Sequence, residues 1–250
     1  MANHKGKPLV SIITVCFNSK STIEDTIKSV INQTYDNIEY IIVDGGSTDG
    51  TIDIITKYKQ YISNLVVEPD DGIYDAMNKG IEISSGELIG IINSDDWYES
   101  NAVKYAVTSF LLNKHSVIYG LLRMYNKNGE MFMVKGHTHF ALNTRMIQHP
   151  TCFVPREIYM EFGKFNLEYK ISADYELMNR LLNKGVEFQF VEKVISNFRF
   201  GGASINITGP MESLKIQYRC GYINYSAYLV KLLGIKVVYT VKNIIKGNIS

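Results

Sequence analysis

Cysteine is scarce in this chain of 250 residues. Its three cysteines, Cys16, Cys152 and Cys220, lie far apart, and none falls in a CxxC or CxH spacing. An odd, scattered set offers neither a disulfide framework nor a zinc site, and it fits a reducing cytoplasm. Long apolar runs are missing too. No uncharged stretch reaches the length of about 18 to 20 residues that a spanning helix needs, and the first ten residues hold no apolar segment of the signal-peptide kind. A cytoplasmic protein is therefore expected. Charge imbalance is also absent: the net charge is +1, so nothing global points to nucleic acid as a partner. Neither GxGxxG nor the Gly-Lys-Ser/Thr of a phosphate-binding loop follows the first apolar run, which disfavours a dinucleotide fold and a P-loop.

What is present is ordinary for a globular domain. Apolar residues make up 46% and charged residues 20%, which excludes wholesale disorder and allows a sizeable core. Residues 9–15 form a β-branched, nearly continuous apolar run, as expected for a strand buried on both faces. Ser21 or Thr22 then precedes a helical spacing of Ile23, Ile27, Val30 and Ile31. The rhythm continues with a strand at 39–43, a helix from Thr51, a strand at 65–67, a helix over 74–84 and a strand at 88–92. Such alternation predicts βαβ units and a mostly parallel sheet. Beyond Trp97 the pattern loosens. The spacing predicts helices over 102–112 and 174–182, two strands at 116–124 and 130–134 joined by the Asn128-Gly129 turn, and a strand over 188–194.

Open parallel sheets bind ligands beyond the carboxyl ends of their strands. Here those ends carry Asn18, Asp44, Glu68 to Asp71, and Asn93 to Asp96, which predicts one crevice lined by polar and acidic loops. In Asn93-Ser94-Asp95-Asp96, two adjacent carboxylates directly after a buried strand would repel each other and resist desolvation. A hard divalent cation, Mg²⁺ or Mn²⁺, relieves this, using a few carboxylates plus substrate phosphate oxygens. A solvated loop capping the next helix is the plainer alternative. Asp44-Gly45-Gly46-Ser47-Thr48-Asp49-Gly50-Thr51 joins a candidate acceptor for a base or ribose to glycines that let a ligand approach, or else is simply a tight turn.

Taken in order, these segments resemble the family 2 glycosyltransferases, which have the GT-A fold. The resemblance is carried by the strand from Val10 into Phe17-Asn18, by residues 44–51, by Asp71-Gly72-Ile73-Tyr74-Asp75-Ala76-Met77-Asn78-Lys79-Gly80, and by Asn93 to Asp96. It spans roughly residues 9 to 205. It is nearest to bacterial enzymes that assemble O-antigen, capsule or exopolysaccharide. The resemblance implies an α/β GT-A domain over 1–210, with a nucleotide-sugar half at about 9–97 and an acceptor half at about 98–210. It also implies a nucleotide-sugar donor, a UDP-sugar above others, a saccharide acceptor such as an undecaprenyl-diphosphate-linked one, and inverting transfer. Thr14, Phe17 and Asn18 match the nucleoside wall and Asp44 the carboxylate facing the base. Asp71, Gly72 and Asn78 match the ribose and sugar segment. Asp95 and Asp96 match the metal motif, with Asn93 replacing the usual leading Asp. Asp174 matches the catalytic base, with Glu176 second, although an Asp before an apolar-periodic run is also an ordinary helix cap. His149 and the stretch Arg199-Phe200-Gly201-Gly202-Ala203-Ser204 fall where the family places substrate loops. Trp97 suits either the core or a sugar platform.

Two rivals belong beside this reading. A sugar-nucleotide nucleotidyltransferase also joins α/β architecture to acidic metal sites, and a non-catalytic nucleotide-sugar-binding module would keep the pocket without chemistry. The extension 211–250 carries Lys215, Arg219, Lys231, Lys236, Lys242 and Lys246 against the single acid Glu212. Its mixture of lysines and apolar residues suits either a segment lying on anionic lipid at the inner face of the cytoplasmic membrane or a helix packed on the domain.

Overall fold

The computed structural model describes residues 6–200 and 207–247. Gly201 to Ser204, expected in a substrate loop, lie outside the described residues. The first half runs β1 (Val10–Cys16), α1 (Ile23–Ile31), β2 (Ile38–Asp44), α2 (Thr51–Lys57), β3 (Asn64–Val67), α3 (Ile73–Ile83) and β4 (Leu88–Asn93). β1 pairs in parallel with β2 and β4, and β2 with β3. All seven residues of β1 are buried, as a central parallel strand covered by helices requires. Because alternate side chains leave opposite faces of a strand, the apolar run splits between two cores. Ile13, Val15, Ile41, Val43, Ile89 and Ile91 pack under α3 and the later helices. Ile12, Tyr40, Ile42, Leu88 and Ile92 pack under α1 and α2. Each fully buried isoleucine contributes about 2–3 kcal/mol of transfer free energy.

The second half extends the same sheet with β5 (Trp97–Tyr98), α4 (Ala102–Phe110), β6 (Ser116–Tyr125), β7 (Met131–Lys135), β8 (Phe153–Pro155), α5 (Arg156–Phe162), α6 (Ala173–Asn183) and β9 (Glu187–Arg199). The strand order is β3-β2-β1-β4-β8-β6-β9-β5, with β7 paired to β6. β8 runs antiparallel to both β4 and β6, which leaves β6 pointing the same way as β4, and β9 lies parallel to β6. The expectation of a mostly parallel sheet flanked by helices therefore holds. The strand expected over 188–194 continues to Arg199, with register shifts near Leu121 bending the β6–β9 ladder. β5, β8 and α5 were not anticipated.

The chain ends in α7 (Thr208–Arg219) and α8 (Tyr225–Gly247). The boundary expected at 210 falls inside α7, whose Leu214 and Ile216 are buried in the domain. α8 meets α7 through the rings of Tyr218 and Tyr228, 5.1 Å apart, and Tyr225. Beyond that turn most of its described side chains are exposed, with Val230 at 72% and Leu233 at 64%, while Leu232 and Ile235 are half-buried. Of the two expectations for the extension, packing on the domain is met only at the start of α8. Among the described residues no helix is long and apolar enough to cross a membrane.

Candidate active site

The loops that follow β1, β2 and β4 are fastened to one another. The backbone N–H of Asn18 donates to Ser47 Oγ at 2.7 Å, and Asn18 Oδ1 accepts from the N–H of Thr48 at 2.9 Å. The N–H groups of Ser19 and Lys20 donate to Thr51 Oγ1 and Asp49 Oδ2. Ser19 Oγ lies 2.7 Å from Ser94 Oγ, which ties the first loop to the Asn93–Asp96 segment. The loop after β3 joins them because Gly45 has no side chain: a Cβ there would run into the Asp70 carboxylate and crowd Phe17. Gly72, at φ 115° and ψ 172°, closes that loop in a conformation open to glycine alone. The four strand ends thus meet at one place.

The expected nucleoside residues divide on inspection. Phe17 is 62% exposed beside Gly45, a free aromatic face. Asn18, with φ 48°, holds two loops together. Thr14 is fully buried with its hydroxyl against Tyr40, so it packs beneath the loops. Asp44 is also fully buried. Its Oδ1 accepts from the N–H groups of Gly46 and Ser47 at 2.9 and 2.7 Å, and its Oδ2 from Ser47 Oγ at 2.6 Å. Its carboxylate shapes its own loop. Asp71 is exposed, and its N–H caps onto Asp75 Oδ2. Asn78 lies in α3 away from the loop tips, clamping Phe165 through two backbone hydrogen bonds of 2.9 and 3.0 Å.

Beyond β4 the electrostatics are uncommon. Asp96 is fully buried; its Oδ1 accepts from the Arg199 N–H at 3.2 Å, whereas among the described residues Oδ2 has no partner, nor has the buried Asn93 Oδ1. Burial first, and the adjacent Asp95 charge second, push the Asp96 carboxyl well above the usual carboxylate range. Burial likewise raises Asp95, against the pull of Arg199. Orphaned buried oxygens and two desolvated carboxyls are a donor set that a hard divalent cation fits. Asp95, half-buried, is the more accessible of the two carboxylates, and Asp96 is fully enclosed. Among the described residues no three His, Cys, Asp or Glu side chains cluster. A carboxylate-plus-diphosphate site needs only one or two. Arg199 itself turns toward α1, with its guanidinium 2.5 Å from Asp25 and 4.9 Å above the Trp97 ring. Trp97 also packs on Tyr125, so it serves as a structural ring.

Asp174 stands in the first turn of α6. Ser172 occupies the cap position, so Asp174 is not the helix cap that its sequence context allowed. Its Oδ1 accepts from the Tyr175 N–H at 2.8 Å and lies 3.1 Å from the Tyr74 hydroxyl. His149 is buried, and its pKa is lowered by that burial against the attraction of the Asp174 charge, which places the two side chains in electrostatic reach. Glu176, the second candidate base, is held by Arg180 Nε and Nη2 at 2.9 and 3.1 Å. That arginine also donates to the carbonyls of Phe162, Gly163 and Lys164, so Glu176 belongs to a structural network. Two residues escaped the sequence reading. Tyr74 lies within the Asp71–Gly80 segment, where no local pattern sets it apart from its neighbours. Glu212, noted only as the lone acid of the extension, accepts the N–H groups of Lys170, Ile171 and Ser172 at 2.8 to 2.9 Å and so fixes the approach to Asp174.

The model of the family described as glycosyl transferase family 2 matches residues 11–185. The chain belongs to that family. This glycosyltransferase is 28% identical over 212 residues to the PGL/p-HBAD biosynthesis glycosyltransferase of Mycobacterium bovis, covering 80% of each chain. Its fold is similar to that of S. aureus TarS in complex with UDP-GlcNAc, at a TM-score of 0.69 and 17% identity, covering 91% of this chain and 72% of that one. It spans only 43% of another, longer TarS chain. The mannosyltransferase PcManGT of Pyrobaculum calidifontis, in complex with GDP-Man and Mn²⁺, is similar at a TM-score of 0.66 and 16% identity, over 94% and 71% of the two chains. These likenesses establish the GT-A fold of the enzyme. Membership of a transferase family sets aside both the nucleotidyltransferase and the non-catalytic module.

Proposed function

We propose that this glycosyltransferase moves a sugar, with inversion at the anomeric carbon, from a UDP-sugar to a hydroxyl of a saccharide or lipid-linked saccharide in surface polysaccharide or glycolipid assembly. The observation that carries the reading is the lacing of the strand-end loops, which brings Phe17, Asp70, Asp71 and Asp95 to one place, with Asp174 tied in through Tyr74. Phe17 offers its face to the base, and the exposed polar loop around Asp71 and Gly72 receives the ribose and donor sugar. Asp95 would hold a Mn²⁺ or Mg²⁺ ion, with the enclosed Asp96 supporting it. When bound, that ion supplies charge neutralisation for the departing diphosphate. Support for its use comes from the orphaned oxygens around Asp96 and from the Mn²⁺ in the mannosyltransferase complex.

Asp174 takes the proton from the acceptor hydroxyl as that oxygen forms its bond to the anomeric carbon. The bond from that carbon to the diphosphate oxygen breaks, and its electron pair leaves with UDP. An α-linked donor therefore yields a β-glycoside. The test is Asp174→Asn, assayed with a panel of nucleotide sugars and EDTA controls. Turnover is expected to fall at least a thousandfold with UDP affinity nearly unchanged, and EDTA is expected to abolish transfer. Full turnover in the variant would remove Asp174 from the mechanism, and indifference to EDTA would remove the cation.

The acceptor side of the reading includes contact with a lipid surface through α8. Its exposed Leu229, Val230, Leu233, Val237 and Val238, interleaved with Lys231 and Lys236, suit an anionic membrane interface. An undecaprenyl-diphosphate-linked saccharide would be reached from there.

A further inference from the structure

Tyr74 is a buried phenol that no step above uses. It is the second residue of α3, 8% exposed, with its ring packed on Phe165 at 5.3 Å between centroids. Its hydroxyl points at the start of α6 and lies 2.7 Å from Ile171 O and 3.1 Å from Asp174 Oδ1. Asp174 Oδ1 is also held by the Tyr175 N–H. One oxygen of the carboxylate is therefore held by the Tyr175 N–H and by the single phenolic proton of Tyr74, which it shares with Ile171 O, and among the described residues nothing holds Oδ2. Oδ2 is the oxygen left to meet an acceptor proton. Resting on the reading of Asp174 as base, we propose that Tyr74 is the positioning residue that orients this carboxylate and couples it to the donor segment.

The coupling follows from the chain. Tyr74 is two residues beyond Gly72, and the N–H groups of Asp75 and Ala76 both return to Gly72 O, at 2.9 and 3.2 Å. One stiff helical turn thus carries the loop that receives the donor and the hydroxyl that aims the base. Burial, and secondarily the Asp174 charge, raise the Tyr74 pKa far above working pH, so the phenol stays protonated and acts as a donor. A misplacement of about 1 Å at a reacting group costs roughly a hundredfold in rate. Freeing one tether of the carboxylate falls within that scale.

A phenol that merely satisfies Ile171 O would leave a different trace from one that aims Asp174. Tyr74→Phe keeps the ring and its packing and removes only the hydroxyl. The expected result is a kcat about 10- to 100-fold lower, with donor KM and affinity for UDP plus Mn²⁺ within about twofold. Rates are measured with the panel nucleotide sugar that the wild type turns over fastest. They are expressed per UDP-binding site, so loss of folded protein cannot imitate loss of rate. In the residual turnover of Asp174→Asn, adding Tyr74→Phe should cost nothing more, because the side chain it orients is no longer a base. An unchanged kcat in Tyr74→Phe overturns the proposal, as does a full additional loss in the Asp174→Asn background. If Asp174→Asn alone keeps full turnover, the base reading falls and this proposal with it. If that variant is dead while Tyr74→Phe turns over normally, only the role of Tyr74 fails.

Discussion

His149 shows what a single buried side chain does to the pH response of the whole chain. Burial lowers its pKa from the ordinary value of 6.5, so the folded protein binds that proton less readily than the unfolded chain does. The sign follows from linkage: its contribution to stability is full above about pH 6.5 and is lost as pH falls through the lowered value. His149 therefore pulls Tm down between pH 7 and pH 5.5, and over that window Tm of His149→Phe should fall less, or rise more, than that of the wild type. His137 and His139, lowered in the same direction, add to that pull, whereas the raised carboxyls of Asp95 and Asp96 oppose it. An identical slope in the variant would show that His149 is not titrating. Residue-level legibility was uneven for related reasons. Motif order singled out Asp95 and Asp174 as candidates, because the resemblance rests on several segments in sequence; an Asp at a helix start is by itself ordinary. It could not say which way a side chain turns, so Thr14 and Asn78 carry family expectations yet face Tyr40 and Phe165.

At the scale of elements, the approach to Asp174 depends on a helix that the sequence pattern did not connect to it. Glu212 on α7 accepts three successive backbone N–H groups at residues 170–172, hydrogen bonds to a charged group that are stronger than neutral ones. Glu212→Ala should cost about 2–3 kcal/mol of stability and lower kcat more than donor affinity, read by denaturant unfolding and steady-state rates. Equal stability and rate would place the ordering of that segment elsewhere. The link was invisible because it joins residues some 40 positions apart, beyond any local period. The parallel strands were plain in their β-branched runs, each flanked by a helical spacing. β5 and β8, two and three residues long, are too short to show a period, and polar Glu192, Lys193, Ser196 and Asn197 interrupt the apolar pattern along β9.

Over the whole molecule, α7 contributes Ile216 to the core, whereas α8 meets α7 through the Tyr218, Tyr225 and Tyr228 rings and puts no described residue into the core. Truncation after Gly221 is expected to leave folding and donor hydrolysis intact. It should abolish sedimentation with vesicles of anionic phospholipid if α8 is the lipid-facing element. Vesicle binding that survives the truncation would move that contact to the domain surface. The tie between Ser19 and Ser94 has a consequence for redesign. Two segments 75 positions apart share one hydrogen bond, and both abut a loop that Asp44 holds in shape from within. On the proposed reading of these loops as the donor site, donor preference is not a modular property that can be swapped one segment at a time. A transplanted turn would arrive without its stitching, and a chimera would have to exchange all the seams together.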